Sequence, residues 1–131
     1  MYNSFYMNGY LWRIYFLPKD HEKLIDRTNR FCVATTDPIL KCIFLSEILQ
    51  GGFLVRVLLH ELGHCIMFSY DLISDIHRMI RPEYWIDAEE WICNFLADYG
   101  LMAFHIAYQV LGDDAWLFSL YTLDTYFSSE R

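Results

Sequence analysis

His60-Glu61-Leu62-Gly63-His64 sets two imidazoles at i and i+4 with a carboxylate directly after the first. On a helix these positions lie one turn apart on the same face, so both rings can reach one metal ion. Glu61 projects close by without needing to bind the metal. From there it can take a proton from an activated water and later deliver it to a leaving amine. The spacing is that of H-E-x-x-H, and the ion it suggests is zinc, one per chain. Three polar side chains buried for no such purpose would be costly, the carboxylate above all unless it were paired.

Catalytic zinc usually takes three protein ligands and keeps one position open. No histidine follows at the short spacing of H-E-x-x-H-x-x-G-x-x-H, because residue 70 is Tyr. The candidates for the third ligand are His77, Asp87, Glu89, Glu90 and His105. Glu90 is the best placed, with Cys93, Asn94 and Ala97 following on its helix face at i+3, i+4 and i+7. Asp87-x-x-Glu90 also has the form of a capping box, in which Glu90 would reach back to the backbone of Asp87. In that case Glu89 or His77 would supply the third ligand. A cysteine as fourth ligand, Cys93 or Cys65, would instead close the site and make it structural.

These residues need elements to hold them. Tyr10 to Leu17 (YLWRIYFL) is rich in aromatic and β-branched residues and stops at Pro18, as a strand does. Residues 18–30 are polar and read as a loop or short helix. Residues 31–35 and 41–46 read as two strands about the turn Thr36-Asp37-Pro38-Ile39. From 53 to 70 the pattern is helical and apolar on every face, which predicts burial. An irregular connection over 71–86 precedes a second long helix, 87–111, closing at Gly112, and a third helix over 114–127. The expected class is α+β: a small antiparallel sheet of about three strands packed on a buried H-E-x-x-H helix and a second long helix.

The chain has 131 residues, 55% hydrophobic and 18% aromatic, which is one domain's worth with ample mass for a core. Met7 offers an alternative start that would leave residues 1–6 as a dispensable leader. The longest stretch free of Asp, Glu, Lys and Arg runs from Tyr99 to Gly112 and contains His105, short of a bilayer span of about 20 residues. With no secretory-type leader, the expected location is the cytoplasm and no membrane partner is expected. Residues 1–56 carry seven basic and five acidic groups, a balance of +2, whereas residues 57–131 carry three and twelve, a balance of −9. So acidic a half disfavours phosphate backbones, and no direct nucleic-acid partner is expected. Cys32, Cys42, Cys65 and Cys93 form no C-x-x-C pair and read as reduced, buried thiols. Trp12, Trp85, Trp91 and Trp116 read as core or surface anchors.

A resemblance joins these parts. Arg56-Val-Leu-Leu-His-Glu-Leu-Gly-His64, preceded by Cys42-Ile-Phe-Leu-Ser46 and followed by Glu90-Trp-Ile-Cys-Asn-Phe-Leu-Ala97, resembles the ImmA/IrrE family of small zinc metallopeptidases, common in prophages and mobile elements. That family shows an I-Y-L-S strand, an H-E-x-x-H helix and a later helix with E-x-x-A-N-x-F-A. Glu90, Asn94 and Ala97 match it position for position, while Cys93 replaces the Ala and Leu96 the Phe. The resemblance spans residues 31–105. It implies a zincin-like, gluzincin-type site with His60, His64 and Glu90 as zinc ligands and Glu61 as the catalytic base. It also implies cleavage of a protein substrate, a repressor-like regulator. The strand 41–46 could pair with an extended substrate, and Tyr84, Tyr99, His77 and Arg81 are candidate donors to an oxyanion. The reading from a different class is a catalytically silent metal-binding module that sequesters a host or phage factor through its acidic surface.

Overall fold

The run Tyr10–Leu17 is the second strand of a four-stranded mixed sheet in the computed structural model, which describes residues 3–125. The strands are β1 (Ser4–Met7), β2 (Tyr10–Leu17), β3 (Ala34–Asp37) and β4 (Cys42–Ser46), in the spatial order β1-β2-β4-β3. β1 and β2 form a hairpin through Asn8 and Gly9, both at positive φ, with Ser4 opposite Arg13 and Met7 opposite Tyr10. Residues 4–6 are therefore part of the sheet ladder, where the sequence suggested a dispensable leader.

The class is α+β, but the sheet differs from the small antiparallel one expected. β2 and β4 run parallel, Arg13 opposite Cys42 and Leu17 opposite Ser46, so β4 lies between β2 and β3. All five residues of β4 are buried. Its Cys-Ile-Phe-Leu-Ser run is the near-continuous apolar pattern of a strand covered on both faces. Since β4 is paired on both edges, it cannot add a substrate strand as the sequence suggested. β3, which begins three residues later than expected, is the edge strand beyond it.

A 3-10 turn, Glu22–Leu24, and a loop join β2 to β3. After β4 the chain enters α1 (Gly51–Ser69), whose buried residues Glu61, Gly63, His64, Cys65, Met67 and Ser69 fall in its second half. Cys65 packs with Trp12, Ile43, Leu45 and Leu49 in the main core. Trp12, fully buried, donates from Nε1 to Ser69 Oγ at 2.9 Å and so ties the sheet to the end of α1. Phe53 and Val55 near the start of α1 are exposed, so the helix is not buried all round. Among the described residues α1 is the one helix long and apolar enough, by length and composition, to cross a membrane. It also carries Arg56, His60, Glu61 and His64.

The segment expected to be irregular contains α2 (Leu72–Met79), entered through Asp71 in the left-handed region. The second long helix is broken into α3 (Trp85–Phe95), a π-helical turn (Leu96–Gly100) and α4 (Leu101–Leu111). Met67 and Ile76 pack with Cys93 of α3. By its internal contacts the chain divides into two compact units, 1–98 and 99–131. The first holds the sheet and α1 to α3. In the second, α4 ends at Gly112, with φ +66°, and α5 (Asp113–Leu117) follows. Phe104 there lies against the rings of Tyr108 and Trp116, and no residue of α4 or α5 is buried. The third helix, expected over 114–127, stops at Leu117, where Phe118 caps it and a turn over 118–120 follows. Residues 126 and 127 of that expectation lie outside the described residues.

Candidate metal centre

α1 and α3 approach closely where Gly63 faces Cys93. A Cβ at Gly63 would stand 2.9 Å from Cys93 Sγ and 3.2 Å from its Cα, so only glycine admits this contact. The contact brings one face of α1, with His60 and His64, against the face of α3 that carries Glu89, Glu90 and Asn94.

His60 Nδ1 lies 2.8 Å from Asn94 Oδ1, and His64 Nδ1 lies 2.9 Å from Glu89 Oε1. Both partners are acceptors, so each Nδ1 carries a hydrogen, and in the neutral ring each Nε2 keeps its lone pair. The two Nε2 atoms converge to 3.3 Å. Glu90 faces them both, with Oε2 3.0 Å from His60 Nε2 and Oε1 3.3 Å from His64 Nε2. With both rings neutral, acceptors crowd together with no donor among them, an arrangement that repels itself unless a cation, proton or metal, sits between them. The donor atoms of His60, His64 and Cys93 also lie within 4.8 Å of one another, so this group could hold a metal ion.

The electrostatics follow the same logic. Hydrogen bonds from His60 and His64 hold the Glu90 carboxyl well below the ordinary range. Burial works against a charged His64, but Cys93, Glu89 and Glu90 outweigh it and raise the imidazole to about 12. The hydrogen bond with Glu90 likewise raises His60. Burial would raise Glu89, yet hydrogen bonds from His64 and Arg27 bring it below its usual value. Glu61 goes the other way, for burial pushes its carboxyl up against the pull of His64 and His60. Its Oε1 lies 3.4 Å from Thr36 Oγ1 on β3, and its Oε2 lies 3.9 Å from His60 Nε2.

His60, Glu61, His64, Glu89 and Glu90 line one cleft of about 600 Å³, walled by β3, α1 and α3 and including Arg27, Thr36, Phe53, Val57 and Asn94. Arg56 reaches across its rim to pair with Asp98. Of the residues suggested by sequence, His60, Glu61, His64 and Glu90 meet here. Glu89 is present as the partner of His64 Nδ1 and faces away from the Nε2 atoms. The capping box is not formed, since α3 starts at Trp85 with Tyr84 as its N-cap and Asp87 lies inside the helix. His77 instead stacks on Trp85 with ring centroids 3.8 Å apart. Cys65 is buried in the core under α1, and His105 belongs to α4. None of Tyr84, Tyr99, His77 and Arg81, the candidate oxyanion donors, lines the cleft. The four cysteines are free thiols. Sequence reasoning missed Arg27, whose guanidinium contacts both Glu89 and Glu90. It is separated from them by more than sixty residues and belongs to no motif. Comparisons of the chain with protein-family models, with curated proteins and with solved structures give no match.

Proposed function

We propose that this chain is a zinc-dependent metallopeptidase of minimal zincin-like fold, resembling the ImmA/IrrE family and hydrolysing a peptide bond in a regulatory protein of a phage or mobile element. The observation that carries the reading is the convergence of His60 Nε2, His64 Nε2 and the Glu90 carboxylate beside Glu61. Ligands bound tetrahedrally at about 2.0–2.1 Å from zinc stand about 3.3 Å from one another. The two Nε2 atoms stand at that edge length, 3.3 Å apart, and Glu90 sets one carboxylate oxygen 3.0 Å from His60 Nε2 and the other 3.3 Å from His64 Nε2. Two imidazoles and a carboxylate are also a donor set that zinc accepts.

His60, His64 and Glu90 would hold the ion. The chemistry zinc supplies in such a place is Lewis acidity, toward a peptide carbonyl and toward water. Glu61 is the base that accepts the proton of the attacking water and returns it to the leaving amine. Its burial supports that role, because desolvation raises the carboxyl and so makes it a stronger proton acceptor than an exposed one. Asn94 and Glu89 keep the two imidazoles turned with Nε2 inward. β3, with no strand on its outer edge among the described residues, offers unpaired backbone groups along the cleft to an extended peptide.

The test is to incubate zinc-loaded chain with a proteome-derived peptide library and read new termini by mass spectrometry. Cleavage by the wild type, and none by a zinc-retaining Glu61→Gln variant, is the expected result. No cleavage by a fully loaded wild type would favour the other reading, a metal-stabilised interaction module. That alternative draws on the place of Cys93 in the His60 and His64 group, since a thiolate ligand would help close the site.

A further inference from the structure

We infer that Arg27 is a positioning residue of the metal centre, one guanidinium that fixes both the third ligand Glu90 and the carboxylate Glu89 that orients His64. The inference rests on the proposed metal centre and concerns how the chain builds it. Nη1 of Arg27 donates to Glu89 Oε2 at 2.9 Å, and Nη2 donates to Glu90 Oε1 at 3.1 Å. The other oxygen of Glu89 takes the hydrogen of His64 Nδ1, and the other oxygen of Glu90 faces His60 Nε2. Arg27 thereby holds one oxygen of each carboxylate, while the second oxygen of Glu89 orients His64 and the second oxygen of Glu90 is aimed at the Nε2 of His60. The planar fork of arginine is suited to this, because its donors diverge at fixed angles and can serve two acceptors at once.

The loop that carries Arg27 is itself built to hold still. Asp26 Oδ1 accepts from the backbone N–H of Thr28 at 2.8 Å, from Thr28 Oγ1 at 2.6 Å and from the backbone N–H of Arg30 at 3.2 Å. Asp26 N–H returns a bond to Arg30 O at 2.9 Å, and Ile25 bridges Phe31 to close the loop. Asn29 takes the left-handed conformation this turn requires. Such local pinning limits the conformations open to Arg27 before any metal arrives.

Charge supplies the second argument. The cleft is acidic, lined by Asp26, Glu61, Glu89, Glu90 and Asp98 against Arg27 and Arg56, and Arg27 is the cation in contact with both Glu89 and Glu90. Without Arg27 the two neighbouring carboxylates on α3 would repel one another, and Glu90 would be free to swing out of line with the Nε2 atoms.

The experiment measures zinc affinity by competition with a chromophoric chelator for wild type, Arg27→Ala, Arg27→Lys and Arg30→Ala, with circular dichroism to show that each is folded. Arg30 sits on the same loop, so its replacement removes the same charge from a different place. We expect Arg27→Ala to bind zinc about 10–100-fold more weakly, as loss of an outer-shell partner typically does. Arg30→Ala should bind as the wild type does, and Arg27→Lys, which keeps the charge and loses the fork, should recover only part of the loss. Equal affinity of Arg27→Ala and Arg30→Ala would overturn the inference and leave the metal centre standing. Full recovery by Arg27→Lys would overturn the positioning role in favour of charge alone. A wild type that binds no zinc would overturn the metal centre itself, and the inference with it.

Discussion

Gly63 on α1 and Cys93 on α3 are in such close contact that a side chain at residue 63 would meet Cys93 Sγ at 2.9 Å. The distance between the two helices, and so the reach of Glu90 toward His60 and His64, depends on this one missing methyl group. In an open helix Gly→Ala gains about 1 kcal/mol. Here the sign reverses: Gly63→Ala should cost about 1–3 kcal/mol through overpacking, read as a lower urea midpoint. Adding Cys93→Ala should recover part of that loss, since Sγ is the nearest of the clashing atoms.

Glu61 separates catalysis from architecture. Glu61 is 5% exposed, and the hydroxyl of Thr36 on β3 donates to its carboxylate at 3.4 Å. Glu61→Gln keeps the shape and removes a buried group for which ionisation is costly. Peptide hydrolysis should fall by about 10²–10⁴-fold, the usual worth of a general base. Zinc content should stay at one per chain, and the urea midpoint should stay level or rise. A midpoint well below that of the wild type would show that the carboxylate holds the fold together instead.

The imidazole orienters make a graded series. His64→Ala removes one of the proposed ligands and should abolish stoichiometric zinc binding on elemental analysis. Glu89→Gln leaves His64 in place and weakens only the group that holds its Nδ1–H, so zinc should remain bound but about 10–100-fold more weakly by chelator competition. Were Glu89→Gln as damaging as His64→Ala, Glu89 would be acting as a ligand, one of the alternatives its position in the sequence leaves open.

Local patterns made the centre of this site legible, and long-range contacts did not. His60, Glu61 and His64 could be read because helical spacing alone puts them together. Glu90 could be read because Asn94 follows it by one turn, and the same turn delivers Asn94 Oδ1 to His60. Arg27 left no mark, since nothing local relates it to α3. The same division runs through the fold. The pattern of residues 10–17 shows a strand, but the parallel pairing of β2 with β4 depends on a crossover that carries β3 to the far edge. Adjacent strands invite a hairpin reading, which is how the sheet came to be expected antiparallel. Nor does the apolar run after Asp87 show that the helix breaks into a π-helical turn at Leu96–Gly100.

The same hydrogen bonds that ready the site for a metal make it compete with protons. In the metal-free chain Cys93, Glu89 and Glu90 hold His64 at about 12 against the opposing effect of burial, well above its ordinary 6.5. A group whose value is raised on folding stabilises the fold in full below its unfolded value, and that stability is lost as pH climbs toward the folded one. The metal-free chain should therefore lose stability steadily from pH 6.5 to pH 9, followed by urea midpoints across that window. Zinc requires the neutral ring, so its binding at pH 7 must expel the proton from His64. Calorimetric titration of zinc in buffers of different ionisation enthalpy should report the release of at least one proton per ion, and affinity should rise with pH over the range in which the metal-free chain weakens. Binding enthalpies that do not depend on the buffer would mean that His64 is already neutral, and that the cation its neighbours call for is not a proton.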